Sequence, residues 1–177
     1  AIVANTSGCG TMVKDYGHLF RNDPELAGDT RTVSGKTRDI CEFMQEIGLV
    51  EPVRETVCRV AYQSPCSMQH GQGIHAQPVA LLRAAGFTVT EPRNAHLCCG
   101  SAGTYNILQG EMADTLRARK ISALEALSPD IVASGNIGCM TQLQGGMGVP
   151  VLHTVELLDW ATGGPQPSAL TRKRPEE

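Results

Sequence analysis

The stretch DIVASGNIGC, residues 130–139, runs from an apolar segment through a glycine turn to a cysteine. A short apolar run bounded by turn residues is typical of a strand buried on both faces of a parallel sheet. The stretch AIVANTSGC, residues 1–9, resembles it with one residue inserted, so Cys9 corresponds to Cys139. The chain is therefore predicted to hold one whole copy of a duplicated unit and the tail of another.

Outward from this stretch, strand and helix patterns alternate along the chain. Further strands are predicted at residues 57–63 and 87–91, and the longest helix at residues 110–127. Shorter helices are predicted at residues 11–20, 37–48, 74–86 and 153–161 and after Cys139, with a polar loop before residue 37. This alternation predicts an α/β fold with a parallel sheet. We expect the end of a first cysteine-rich module at residues 1–50, a complete second module at 51–162 and a flexible tail at 163–177.

Composition excludes several classes of function. The 177 residues carry a formal net charge of −3, and the basic cluster RKR at residues 172–174 is too short to predict a nucleic-acid partner. No apolar stretch approaches the roughly 18 to 20 residues of a membrane-spanning helix, and the first residues lack the layout of a signal peptide. The expected compartment is the cytoplasm, where clustered cysteines bind metal or do redox chemistry more often than they form disulfides.

Four of the seven cysteines form one pattern. Cys66 is followed by thirty-one residues, then by the adjacent Cys98 and Cys99, then by thirty-nine residues and Cys139. Three of these four cysteines come just after a predicted strand, and the carboxyl ends of parallel strands lie along one edge of a sheet. Four thiolates that meet at such an edge predict an iron–sulfur cluster.

The stretch HLCCGSAGTY, residues 96–105, places a glycine-rich loop directly after the cysteine pair. Gly100 and Gly103 lack the Cβ atom that would keep backbone N–H groups away from the sulfurs, so both are candidate cluster-binding residues. His70, four residues after Cys66, is a candidate hydrogen-bond donor to the site. His96 is a second histidine to test, whereas His18, His75 and His153 show no ligand spacing.

Other interpretations of the cysteines remain open. Cys41 and Cys58 lie within apolar patterns and are predicted to be core residues, because free cysteine packs as a small hydrophobe. Four cysteines could also bind zinc. Structural zinc sites, however, usually show paired Cys-x(2–4)-Cys motifs, and the one close pair here has no spacer.

A nucleotide-binding oxidoreductase is the third interpretation. The stretch GQGIHA fits a dinucleotide fingerprint through Gly71, Gly73 and Ala76, with Glu91 about 20 residues further on. In the true fingerprint the first glycine adjoins the strand, whereas seven residues, including Cys66, intervene here. The glycines are better explained as giving the loop around Cys66 its conformational freedom.

The stretches SPCSMQHGQGI (residues 64–74), HLCCGSAGTY and HTVELLDW (residues 153–160) resemble the iron–sulfur subunits of bacterial glycolate oxidases. The cysteine-rich module is also similar to modules in the B subunit of heterodisulfide reductase and the C subunit of anaerobic glycerol-3-phosphate dehydrogenase. The resemblance covers nearly the whole chain except the tail. It implies an electron-transfer subunit that receives electrons from flavin-containing subunits oxidising glycolate to glyoxylate and passes them toward the respiratory chain.

The resemblance also assigns the ligands. It makes Cys66, Cys98, Cys99 and Cys139 the ligands of the second module, and Cys9 the last ligand of the first. Heterodisulfide reductase ends this motif with Cys-x-x-Cys, whereas Gln142 stands three residues after Cys139 here. A [4Fe–4S] cluster with four cysteines is therefore expected rather than a five-cysteine noncubane cluster.

The remaining cysteines of the first module would precede Ala1, which is not an initiator methionine. We therefore expect this chain to be the C-terminal part of a longer protein, and Cys9 to bind no cluster within it. The resemblance implies an upstream ferredoxin-like segment as a further partner. It implies a cytoplasmic chain that meets the membrane only through its complex and is not catalytic alone.

Overall fold

The computed structural model describes residues 1–171 and confirms the predicted α/β class, because every strand pairing in that range is parallel and helices separate the paired strands. The strands are β1 Ile2–Ala4, β2 Thr37–Asp39, β3 Arg59–Tyr62, β4 Thr88–Thr90, β5 Ile131–Ser134 and β6 Val151–His153. The helices are α1 Ser7–Leu19, α2 Ala27–Lys36, α3 Ile40–Ile47, α4 Ala76–Ala84, α5 Tyr105–Leu108, α6 Gly110–Glu125, α7 Ile137–Gln144, α8 Thr154–Ala161 and α9 Ser168–Thr171. A π-helical segment, Ser67–Gln72, follows β3.

The main sheet has four strands in the order β4-β3-β5-β6, and a separate pair joins β1 to β2. Val60 of β3 pairs with Val89 on one side and with Ile131 on the other. Parallel neighbours need a crossover connection, and the helices between the strands supply it. The carboxyl ends of β3, β4 and β5 consequently lie at the same edge of the sheet.

The sheet separates two apolar clusters because alternate residues of each strand point to opposite faces. Val60 and Tyr62 contact the first cluster with Leu82 of α4 and Leu157 of α8. Ala61 and Val132 contact the second cluster, which holds Leu124 of α6, Leu143 of α7 and two of the predicted ligand cysteines, Cys99 and Cys139. The cluster-binding candidates are thus built partly into the core.

The two stretches that open the sequence analysis have the same local structure. Cys9 is the third residue of α1 and Cys139 is the third residue of α7, and both helices follow a strand through an extended residue, Thr6 or Asn136. The next strand of each unit, β2 or β6, leads into a helix that begins with a capping box. The duplication itself remains an interpretation of the sequence.

Several predicted elements have different bounds in the structure. The predicted polar loop contains α2, which packs against α1, where Ser34 Oγ accepts a hydrogen bond from the Gly17 N–H at 2.8 Å. Residues 37–39, predicted as helix, form the short strand β2, and β6 was not predicted at all. The helix expected after Cys139 begins before it, at Ile137.

The predicted flexible tail also differs from the structure over residues 163–171. Within this segment α9 forms, and Ala169 and Leu170 pack against the first apolar cluster. This contact buries apolar surface, which offsets the loss of chain entropy. The remainder of the predicted tail, residues 172–177, lies outside the described residues.

His153 is the N-cap residue of α8. Its Nδ1 accepts a hydrogen bond from the Val155 N–H at 3.1 Å, and its Nε2–H donates to the Asn5 carbonyl at 2.7 Å. His153→Ala should lower the free energy of unfolding by about 1 kcal/mol, because an N-cap of α8 is lost. Denaturant unfolding followed by Trp160 fluorescence measures the change.

The matched control is His75→Ala, since His75 precedes α4 without a side-chain capping bond. His153→Asp should recover most of the loss, because Asp39 caps α3 through its carboxylate. Equal destabilisation by His153→Ala and His75→Ala would contradict this role.

Candidate iron–sulfur site

The four cysteines of the predicted constellation lie along the carboxyl edge of the main sheet. Cys66 follows β3 and directly precedes the π-helical segment. Cys98 and Cys99 lie in the connection from β4 to α5, and Cys139 lies in the first turn of α7 after β5. Because β4, β3 and β5 are adjacent parallel strands, these three connections begin side by side.

The four thiols form a row of interacting neighbours: Cys66 with Cys98, Cys98 with Cys99, and Cys99 with Cys139. The pKa of Cys98 is lowered because Cys66 and Cys99 hydrogen-bond to its sulfur, and the pKa of Cys139 is lowered by Cys99. The same bonds raise the pKa of Cys66 and Cys99. The arrangement therefore favours thiolates at alternate positions of the row.

Two N–H donors hydrogen-bond to Cys98 and Cys139, the two sulfurs at which the thiolate form is favoured. The Gly100 N–H donates to Cys98 Sγ at 3.3 Å, and Asn136 Nδ2 donates to Cys139 Sγ at 3.5 Å. Hydrogen bonds of this kind stabilise thiolates and tune a bound cluster. Cys99 and Cys139 are only 2% exposed, so half of the row is shielded from water.

Gly100 is required by the shape of this loop. Its φ is +93°, a conformation that favours glycine, and an added Cβ atom would clash with the carbonyl of Ala113 in α6. Gly103 also has a positive φ, of +66°, but open space surrounds its missing Cβ position. Gly100 therefore allows both the turn and its contact with α6, whereas Gly103 provides the turn alone.

Beside the thiol row lies a cavity of about 340 Å³. Its lining includes Cys66, Cys99 and Cys139, together with Cys9 and Gly8 from the first turn of α1. The sequence correctly relates Cys9 to Cys139 in local structure, but it did not predict that both would line one cavity. Cys9 takes no part in the row of hydrogen-bonding thiols.

The other candidate residues lie apart from the thiol row. His70 and His96 are exposed, and neither side chain forms a hydrogen bond with any residue of the described range 1–171. Gly71 packs against Thr11, where an added Cβ atom would approach Thr11 Cγ2 to 2.7 Å, so its close contact serves the packing of α1. Cys41 is buried, and its burial raises the pKa of its thiol.

The sequence analysis missed two polar residues at the site. Asn136, which donates to Cys139, directly precedes a predicted helix. Lys120 is 1% exposed and lies in α6 on the buried stripe with Ala113 and Leu124. A lysine at a core-facing position of an amphipathic helix is a signal that could have identified it.

No three or more histidine, cysteine or acidic side chains within residues 1–171 are grouped so as to hold one metal ion. A single zinc ion needs all four sulfurs at about 2.3 Å from one centre. The structure places four thiols at one sheet edge, with a backbone N–H donor beside Cys98 and an amide donor beside Cys139.

Residues 60–144 match the family model described as a cysteine-rich domain, abbreviated CCG. This matched segment holds all four cysteines of the row. The chain is similar to the glycolate oxidase iron–sulfur subunit of Escherichia coli K12, with 37% identity over 165 residues that cover 91% of this chain and 40% of the relative. The resemblance inferred from the sequence is confirmed.

Two further relatives extend the comparison. A probable glycolate oxidase iron–sulfur subunit of Bacillus subtilis 168 is 30% identical over 173 residues, covering 92% of this chain and 39% of the relative. Lactate utilization protein A of Geobacillus kaustophilus is 28% identical over 165 residues, covering 89% of this chain and 69% of the relative. The chain thus spans about two fifths of the length of the glycolate oxidase relatives.

The thiol row predicts which disulfides form when the metal-free protein is oxidised. With diamide as the oxidant, two thiol pairs should each lose two electrons and two protons, forming Cys66–Cys98 and Cys99–Cys139. Both pairs are neighbours in the row, whereas consecutive residues such as Cys98 and Cys99 have Cα atoms about 3.8 Å apart, closer than a disulfide prefers. These two pairs should therefore exceed all others in peptide mapping by mass spectrometry. A Cys139 thiol that stays free, or that pairs with Cys58, would contradict the shared site.

Proposed function

We propose that this chain is the cluster-binding part of an iron–sulfur electron-transfer subunit in a glycolate oxidase complex. It receives electrons from a flavin subunit that oxidises glycolate to glyoxylate and passes them toward the respiratory chain. The observation that carries the proposal is the row of Cys66, Cys98, Cys99 and Cys139 at one sheet edge. Similarity to relatives named as iron–sulfur subunits supports it.

The donor set fits an iron–sulfur cluster, which we propose to be [4Fe–4S]. Cys66, Cys98, Cys99 and Cys139 would hold it, and when bound it would supply reversible one-electron chemistry. The Gly100 N–H and Asn136 Nδ2 donate to sulfurs of the row, and the second apolar cluster excludes water from Cys99 and Cys139. Such burial and N–H···S bonding are the means by which a protein sets a cluster's potential.

The two alternative functions explain less of the site. A structural zinc site usually presents paired Cys-x(2–4)-Cys motifs, whereas the one close pair here, Cys98 and Cys99, has no spacer. A dinucleotide site would need its first glycine close to β3, but Gly71 lies in the π-helical segment and packs on Thr11. Neither alternative accounts for the adjacent cysteines and the Gly100 N–H that donates to Cys98.

Glycolate is the proposed substrate of the complex because the E. coli relative named for it is 37% identical to this chain. The relatives named for lactate utilization reach 26–29% identity. Both names refer to 2-hydroxy acids, which a flavin subunit rather than this chain would oxidise. Within residues 1–171 no helix is long and apolar enough to cross a membrane, and we propose a cytoplasmic location with any membrane contact made by the complex.

Metal and acid-labile sulfide analysis of anaerobically prepared protein tests the cluster. Iron and sulfide in equal amounts are expected, whereas zinc without sulfide would overturn the proposal in favour of a zinc module. Cys139→Ser should lose most of the iron because it removes a ligand of the row. Cys9→Ser is the matched control, since Cys9 also lines the cavity but lies outside the row. A large loss of iron in Cys9→Ser would contradict its expected lack of a cluster in this chain.

The relay role is tested in the assembled complex with its flavin subunit. Cys98→Ser and Cys99→Ser should lower glycolate-dependent quinone reduction by about tenfold or more, because loss of a ligand perturbs the cluster. Reduction of the flavin by glycolate should persist. The control is Cys58→Ser, because Cys58 is a partly buried cysteine that packs against the first apolar cluster. Unchanged quinone reduction in both ligand variants would exclude the relay.

A further inference from the structure

Lys120 is a buried cation next to the proposed cluster. Lys120 is 1% exposed, although lysine is almost never fully buried unless it is paired. It lies in α6, whose buried face also includes Ala113. The carbonyl of Ala113 lies close to Gly100. Such burial is costly for a charged group unless an opposite charge lies close by.

The hydrogen bonds of Lys120 anchor the loop that leads to Cys98. Its Nζ donates to the carbonyls of Ala95 at 3.0 Å and Asn94 at 3.4 Å, in the connection that leads to Cys98. The Ala95 carbonyl also accepts from Gln69 Nε2 at 3.2 Å, in the π-helical segment after Cys66. Lys120 therefore anchors the loop before Cys98 to α6, and Gln69 joins the same loop to the segment that follows Cys66.

These carbonyls are neutral and leave the lysine charge without a compensating ion. The ion pairs within residues 1–171 join Lys14 to Glu42, Arg38 to Glu46 and Arg59 to Asp130, so none includes Lys120. Burial lowers the pKa of Lys120, and the negative charges that oppose this effect are the four cysteines of the row. The thiolates of the row, which are favoured at Cys98 and Cys139, are thus the anions that stabilise this cation.

We propose that Lys120 is the fixed counter-charge of the cluster site, a positioning residue that raises the reduction potential of a cluster held by the thiol row. The inference rests on the proposed function. Reduction adds one electron from the flavin partner and makes the thiolate-ligated site more negative by one charge. A buried positive charge stabilises the reduced state more than the oxidised state, because Coulomb interactions are strong where water is excluded.

The charge and the hydrogen bonds of Lys120 can be separated by substitution in the intact iron–sulfur protein. Lys120→Gln keeps N–H donors but removes the charge, and Lys120→Met fills a similar buried volume with neither. Lys120→Arg keeps the charge. The control is Arg119→Gln, which removes a positive charge from the exposed face of the same helix. Iron content and the denaturation midpoint report any structural damage in each variant.

The decisive readout is the midpoint potential from an anaerobic redox titration followed by electron paramagnetic resonance. Lys120→Gln and Lys120→Met should shift the reduction equilibrium about tenfold toward the oxidised state, which is about 59 mV for one electron. Lys120→Arg and Arg119→Gln should stay close to the wild-type potential. Both neutral variants are measured, so that if one of them binds little iron, the midpoint potential of the other still tests the proposal.

An unshifted potential in a neutral variant that carries full iron would overturn the counter-charge, as would equal shifts in Lys120→Arg and Lys120→Gln. Those results would leave the wild-type cluster intact and the proposed function standing. Absence of iron and sulfide from the wild-type protein would instead overturn the proposed function, and the counter-charge with it.

Discussion

Parallel pairing of β3 with β4 and β5 is the constraint on which the site depends. It places the connections that carry Cys66, Cys98, Cys99 and Cys139 at one edge, although more than seventy residues separate the first from the last. Burial on both faces keeps the strands in register, since a slip by one residue would move Val60 and Tyr62 into the opposite cluster. Full burial of one such side chain contributes about 1.5–3 kcal/mol, so the apolar core stabilises the positions of the thiols.

The negative charge of a thiolate at this apolar sheet edge has to be stabilised by nearby polar groups. Cys99 and Cys139 pack among Leu124, Val132 and Leu143, where an isolated thiolate would be unfavourable. The protein compensates by three means, each from a different element: the Gly100 N–H in the loop, the Asn136 amide before α7, and the buried Lys120 of α6. Cys41 illustrates the contrast, because it is buried beside Asp39 and its thiol stays protonated, with a raised pKa.

The sequence was sufficient for the α/β class and for the placement of the four cysteines at one sheet edge, because the connections that follow parallel strands begin at the same edge. It was insufficient for α2, whose sequence AGDTRTVSGK has no apolar stripe and forms a helix where it packs on α1. Short strands such as β2 depend on a partner strand distant in sequence, which periodicity does not identify. The approach of Cys9 to the same cavity as Cys139 likewise depends on how two units pack, not on either motif.

Cys9 and Cys139 share a local motif but have different neighbours within the described residues. Both cysteines follow a glycine in the first turn of a helix after a short parallel strand. Around Cys139, the neighbouring strands β3 and β4 bring three more thiols, and α6 brings a cation. Around Cys9, the strand pair of β1 and β2 brings none of these within the described residues, and Ile2 and Val3 of β1 are 43% and 41% exposed. Within the described residues, the order of the strands therefore determines which thiols lie beside Cys139, and the local motif that it shares with Cys9 does not.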